Sequence, residues 1–244
     1  MSDTAFNIDI LVAHRGLQSR FPENTLLALK KAIDSGAKYI ELDVQFSADC
    51  LPIIYHDHNL QRVSGINGNV WDYPLKELLF ISAYEPGRLG NRFKTETIAP
   101  LKALVDLLKE NPQVTAFVEL KEESIAHCGR DLMLERVMHI LASVKSQSVL
   151  ISYDYCLVEA ATKAQWSQVG VVLKQWHDIE TDTVKSITAD YIFFDHKKLP
   201  QQISGLDSIK GKLVAYEVGD IALGKELLNK GVSMLETFEL ELLS

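Results

Sequence analysis

The sequence predicts an α/β fold, a TIM-type (β/α)8 barrel, on three grounds. Eight short β-branched or apolar runs recur along the chain, helix-period segments separate most of them, and 244 residues suit one such barrel. An open doubly wound sheet shows the same alternation and stays the runner-up, since alternation alone does not prove closure. The strands are expected at 8–13, 39–44, 115–120, 148–153, 169–173, 191–194, 213–218 and 233–237. The helices are expected at 25–35, 101–110, 124–144, 156–165, 180–187, 201–209 and 221–229. Gly36 stops the first helix, and the pair Lys230 and Gly231 stops the last.

Residues 51–55 break this rhythm. They follow the second strand after a gap too short for a helical crossover of about a dozen residues, so the run must turn back antiparallel. A reversal around 48–51 then sets Asp43 opposite His56 and returns a histidine to the barrel rim. Residues 57–98 carry Gly, Asn, Pro and the aromatics Trp71, Tyr73, Tyr84 and Phe93. That stretch exceeds an ordinary loop and reads as a small insertion over the C-terminal face, within a single domain of residues 1–244.

Composition narrows the function classes. With 47% apolar and 24% charged residues the chain suits a packed globule, and its net charge of −8 repels nucleic acid and anionic membrane. No apolar run approaches the ~18 residues of a membrane span, and the opening residues lack a signal-peptide pattern. A cytoplasmic location is the expectation. Cys50, Cys128 and Cys156 are odd in number and widely spaced, and read as reduced, structural residues.

Strand periodicity gathers the chemistry. Glu41 and Asp43 share one face of the second strand, with Ile40, Leu42 and Val44 on the other. Phe117, Glu119 and Lys121 share a face of the third in the same way. All approach the C-terminal strand ends, the catalytic end of this fold. Crowded carboxylates repel and take up protons unless a hard divalent cation keeps them ionised, so Glu41, Asp43 and Glu119 read as a Mg2+ or Ca2+ site. The plainer alternative is that one or more faces solvent or pairs with Lys121 or an Arg. His14 and Arg15 end the first strand in AHRG, where Gly16 permits a sharp turn. His56 ends the returning run and is preferred over His58 as the working imidazole. Three carboxylates with one divalent cation leave one negative charge, and Arg15 and Lys121 bring the cluster to one positive, which suits an anion such as a phosphodiester. Two histidines then match the two proton transfers that such a hydrolysis needs.

The ordered set AHRG, FPENT (Phe21 to Thr25), ELD, IIYHD (Ile53 to Asp57), VELK and ISY (Ile151 to Tyr153) resembles the glycerophosphodiester phosphodiesterase family over nearly the whole chain. The resemblance implies a TIM barrel that uses a divalent metal to hydrolyse small-molecule glycerophosphodiesters to glycerol phosphate and an alcohol. It places the general acid and base on His14 and His56, the metal ligands on Glu41, Asp43 and Glu119, and phosphate contacts on Arg15 and Lys121. Pro22, Glu23 and Asn24 are expected to shape the site, and Asn24 or Thr25 to cap the first helix.

The last third departs from the family pattern. Tyr216 to Gly219 stand where an aromatic-Thr-Val-Asn segment is common, and Thr237 to Leu240 where Thr-Asp-x-Pro is common. Tyr216 is expected to pack against substrate, while Glu217 and Phe238 alter rim polarity. Lys174, Trp176 and Asp195 also lie near strand ends, and His127 and His139 read as surface or packing residues. Two rival readings stay open: a lysophospholipid-cleaving phosphodiesterase, and a non-catalytic barrel that binds phosphorylated metabolites.

Overall fold

The computed structural model describes residues 5–200 and 209–244, and its ten strands form one sheet. In chain order they are β1 (Leu11–Ala13), β2 (Tyr39–Phe46), β3 (Pro52–Ile54), β4 (Ala99–Pro100), β5 (Thr115–Leu120), β6 (Ser148–Ser152), β7 (Val169–Val172), β8 (Tyr191–Asp195), β9 (Lys212–Tyr216) and β10 (Met234–Thr237). β1 pairs in parallel with both β10 and β2, and the remaining parallel pairs run β2, β5, β6, β7, β8, β9, β10. The barrel is therefore closed, and the open sheet is excluded.

Period-two alternation divides the strand residues between two cores. Ile40, Leu42, Val44, Val118 and Leu120 pack outward with Leu29, Ala32, Leu104 and Leu108 of the helix layer. Val12, Phe117, Ile151, Val172, Phe193 and Met234 fill the barrel. The Phe117 ring is fully buried and meets Tyr191 and Phe193 edge-on at 4.8 and 5.0 Å, a burial worth about 2–3 kcal/mol.

Helix starts follow side-chain capping. Thr25, not Asn24, caps helix Leu26–Asp34 by accepting from the Ala28 N–H, and Asp154 and Asp220 do the same for Tyr155–Lys163 and Ile221–Asn229. The long helix expected at 124–144 divides into Ile125–Cys128 and Arg130–Leu141, because Gly129 between them adopts a φ of 76°. The helix expected at 201–209 lies, but for its last residue, outside the described residues.

The chain reverses after β2 as expected, with one correction to its register. β3 pairs antiparallel with β2 through Val44 and Ile54, so Asp43 accepts from the Tyr55 N–H at 2.9 Å and is opposite Tyr55, not His56. The reversal is tighter than expected: Ser47 N–H donates to the Leu51 carbonyl at 3.0 Å, and Cys50 takes a left-handed φ of 54°. Residues 57–98 hold the short helices Gln61–Ser64, Leu75–Leu78 and Pro86–Leu89. Ile53, Tyr55, Leu60, Val63, Val70 and Leu78 form a small apolar cluster beneath them, and β4 returns the chain beside β3.

The expectation of three reduced cysteines fails for one pair. Cys50, in the β2–β3 turn, is disulfide-bonded to Cys128 across 78 residues of sequence, with their Cα atoms 5.7 Å apart. Folding sets the hairpin tip against the helix after β5, a proximity that sequence spacing does not reveal. Cys156 is a free, exposed thiol. Such bonds are rare in a reducing cytosol, and the cytoplasmic expectation rests on the want of a membrane span and a signal pattern, not on the cysteines. Among the described residues no helix is long and apolar enough to cross a membrane.

Candidate active site

The C-terminal ends of β1, β2 and β5 carry the predicted residues to one place. After β1 the chain turns at Gly16, where φ is +83° and a Cβ would stand 2.5 Å from the Ala28 carbonyl carbon. Arg15, just before it, adopts a left-handed φ of 55°, an uncommon conformation for a residue with a side chain. That conformation lets the Arg15 N–H donate to Glu41 Oε2 at 3.0 Å, while its guanidinium donates to Glu23 at 3.0 Å and lies 3.1 Å from Asp43.

β2 and β5 pair with Asp43 beside Glu119, so the expected inward acids adjoin. Glu41, Asp43 and Glu119 are all buried, and one oxygen from each lies within 4.8 Å of the others. Lys121 Nζ lies 2.7 Å from Asp43 and 2.6 Å from Glu119, so pairing with Lys121 does occur. It does not satisfy the cluster: Glu41 Oε1 is buried with no hydrogen-bond partner. Burial works to raise the Asp43 carboxyl, but Lys121 and Arg15 overcome it and hold that carboxyl well below the usual carboxylate range. Glu41 is pushed the other way, by burial first and then by Asp43 and Glu236. Glu119 is also raised by burial, against the opposing Lys121. An all-oxygen donor set with two of its three carboxyls, Glu41 and Glu119, pushed toward their neutral form fits a hard divalent cation, which would restore their charge.

Both histidines reach this cluster. His14 is buried, its Nε2 is 3.8 Å from Glu41 Oε2, and its ring stacks on Phe238 at 4.3 Å. Burial and then Arg15 hold the His14 imidazole well below its usual range, so it is neutral near pH 7. His56 Nδ1 lies 2.6 Å from Asp57 Oδ1, which as a carboxylate makes Nδ1 the proton-bearing atom of that contact. His58 turns away and stacks on Trp71 at 5.5 Å.

His14, Arg15, Glu41, Asp43, His56, Glu119, Lys121 and Tyr216 all line one cavity of about 510 Å³. Tyr216 is there through a hydroxyl contact to Tyr153 at 2.9 Å, and burial pushes its phenol up to about 12. Lys174 and Glu217 line the cavity too. Trp176 instead packs against Phe194 at 5.1 Å, and Asp195 accepts from the Lys197 N–H. His127 contacts the Ala48 carbonyl at 3.3 Å.

Asn24 and Glu23 shape the site as expected, whereas Arg62, Glu85, Arg88 and Glu236 escape the sequence reading. Asn24 exchanges two hydrogen bonds with Asp43, donating at 2.7 Å and accepting from its N–H at 3.0 Å. Glu23, fully enclosed, accepts twice from Arg62 at 2.7 Å, and Arg62 also donates to Asp57, the partner of His56. Glu85 accepts from the Glu23 N–H at 2.7 Å and from Arg88, which in turn holds the Gln18 and Phe21 carbonyls. These arginines sit on the one-turn helices Gln61–Ser64 and Pro86–Leu89, too short to carry a periodic signal. Glu236 is different: it alternates with Met234 on the inner face of β10, the same period-two signal that identified Glu41 and Asp43.

The chain matches the Glycerophosphoryl diester phosphodiesterase family over residues 14–199. Glycerophosphodiester phosphodiesterase 1 of Bos taurus is 34% identical over 167 residues, which cover 68% of this chain and 48% of the relative. Glycerophosphodiester phosphodiesterase of Caldanaerobacter subterraneus is 26% identical over 174 residues, covering 69% and 70% of the two chains. The aligned stretch thus spans half or less of the mammalian relatives. Among solved structures, an Oleispira antarctica phosphodiesterase in complex with the product sn-glycerol-3-phosphate superposes with a TM-score of 0.83 at 24% identity, over 95% of this chain and 94% of that one. A glycerophosphodiester phosphodiesterase from Thermotoga maritima gives 0.76 at 21% identity, over 97% of each chain.

Proposed function

We propose that this chain, which belongs to the glycerophosphoryl diester phosphodiesterase family, hydrolyses soluble glycerophosphodiesters, such as glycerophosphocholine or glycerophosphoethanolamine, to glycerol 3-phosphate and an alcohol. The observation that carries this reading is the meeting of His14 and His56 with Arg15, Lys121 and three carboxylates around one cavity. The Oleispira relative holds sn-glycerol-3-phosphate as its product, which agrees in substrate class.

Glu41, Asp43 and Glu119 would hold one divalent cation, Mg2+ or Ca2+. Bound there, it supplies Lewis-acid polarisation of a phosphate oxygen. Arg15 and Lys121 stabilise the charge that builds on the phosphorane-like transition state, and both are already fixed by carboxylates, so little reorganisation is needed. One histidine takes the proton of the nucleophile, a water or a neighbouring glycerol hydroxyl, and the other returns a proton to the leaving alkoxide; in the second case water then opens the cyclic phosphate. His14 starts neutral because burial strips its charged form of solvation. Asp57 fixes the His56 ring through Nδ1, which leaves Nε2 as the exchanging atom. The charged lining favours a polar head group over an acyl chain, against the lysophospholipid reading.

The test is an assay of the EDTA-treated protein with and without added Mg2+ or Ca2+ across several glycerophosphodiesters and one lysophospholipid, scoring glycerol phosphate release. Metal-restored release from glycerophosphodiesters supports the proposal. Turnover unaffected by chelation, or confined to the lysophospholipid, refutes it.

A further inference from the structure

The cavity holds more buried acid than its cations neutralise. Glu236 near the end of β10 is 3% exposed and lines the same cavity as Glu41 and His14. Its Oε1, Glu41 Oε1 and His14 Nδ1 are buried and have no hydrogen-bond partner. Asp43 and Glu119, by contrast, are both tied to Lys121. Unmet polar atoms therefore fall on His14, Glu41 and Glu236, which gather at one place, and not on Asp43 or Glu119.

Barrel register explains the gathering. β1 lies between β10 and β2, with Ala13 beside Thr237 on one side and Ile40 on the other. His14, the next residue, donates its N–H to the Thr237 carbonyl at 3.1 Å, which holds it next to the strand ends that carry Glu236 and Glu41. One ligand atom each from His14, Glu41 and Glu236 lies within 4.8 Å of the others, and Glu41 belongs to this group and to the group with Asp43 and Glu119.

Charge arithmetic points the same way. Counted as ionised, Glu236 is a fourth carboxylate, so that with Arg15, Lys121 and a single divalent cation the centre sums to zero and offers no net attraction to an anionic phosphodiester. A second divalent cation restores two positive charges. We propose that His14, Glu41 and Glu236 form a second divalent-cation site, which shares Glu41 with the first and makes the centre dinuclear. An imidazole nitrogen with two carboxylates suits Mn2+ or Mg2+. Ligation uses one ring nitrogen of His14 and leaves the other for proton transfer. The proposal rests on the preceding reading only for the neighbouring cation.

The test uses the full chain, stripped with EDTA and titrated with Mn2+, with bound metal counted and the electron paramagnetic resonance spectrum recorded. The expected result is two ions per chain with a spin-coupled Mn2+ pair, falling to one uncoupled ion in Glu236→Gln. Two ions retained in Glu236→Gln with its fold intact overturns the role of Glu236. A single uncoupled ion in the wild type, lost in Glu119→Gln, overturns the second site while the first stands; there Glu41 and Glu236 share a proton instead. No bound ion overturns both. Should Glu236→Gln fail to fold, the wild-type count and spectrum decide.

Discussion

Replacing Glu23 by Gln tests whether one buried carboxylate joins the insertion to the barrel. The Glu23 side chain accepts from Arg62 twice at 2.7 Å, and from Arg15 and Gln18 at 3.0 Å each. Glutamine keeps the volume but loses the charge, and its amide group presents N–H to a guanidinium that needs an acceptor. A hydrogen bond to a charged group contributes about 1.5–3 kcal/mol. Arg62 is 45% exposed and its bonds are screened by solvent, whereas Arg15, 12% exposed, loses a counter-charge it cannot replace with water. One full and two screened interactions sum to about 3 kcal/mol, which for a chain of this size lowers Tm by about 6–12 °C. Burial works to raise the Glu23 carboxyl, but Arg62 and Arg15 hold it below its ordinary range. Its stabilisation is then complete above the ordinary carboxylate range and is lost as pH falls through the depressed native value. Melts followed by circular dichroism should show the widest gap between wild type and Glu23→Gln near pH 7, narrowing in acid. A Tm within about 2 °C of wild type at pH 7, or a gap that widens in acid, would refute the reasoning.

Three further outcomes are expected. His14→Ala and His56→Ala each lower kcat by about 10²–10⁴ with the circular dichroism spectrum unchanged, and a loss of less than tenfold or so in either would remove that residue from the proton transfers. Glu119→Gln weakens divalent-cation affinity at least ~10-fold by calorimetry, since a direct ligand should matter no less than the groups that orient one; unchanged affinity counts against the first metal site. Peptide mapping without reductant should recover Cys50 and Cys128 joined, and Cys50→Ser should cost about 4.5 kcal/mol by the loop-closure entropy of the 78-residue separation. Two alkylatable thiols at those positions in the untreated protein would contradict the bond.

The barrel was legible because each strand obeys the period-two rule and most helices carry a cap or a glycine stop. The same rule placed Glu41, Asp43, Glu119 and Lys121 facing one cavity. It applies equally to Glu236, which shares the inner face of β10 with Met234, but one acid on a four-residue strand has no second inward acid beside it in sequence to mark it. The antiparallel return was deducible from chain length, but its register was not, since that depends on a turn closed between Ser47 and Leu51 with Cys50 in a left-handed conformation. Arg62, Glu85 and Arg88 act on the site from segments without repeating pattern, where only tertiary structure sets partners. The Cys50–Cys128 bond is long-range for the same reason.

β2 runs unbroken from Tyr39 to Phe46, so a single rigid ribbon carries the acids of the cavity and then becomes the first arm of the hairpin above it. A swinging door needs a pivot, and here any large tilt of the overhang would tear ladder bonds beside Asp43 and disturb the very oxygens that do the work. The overhang therefore behaves as a fixed eave. Entry to the cavity does not wait on this hairpin swinging aside, and the charged residues that line the cavity set what it admits.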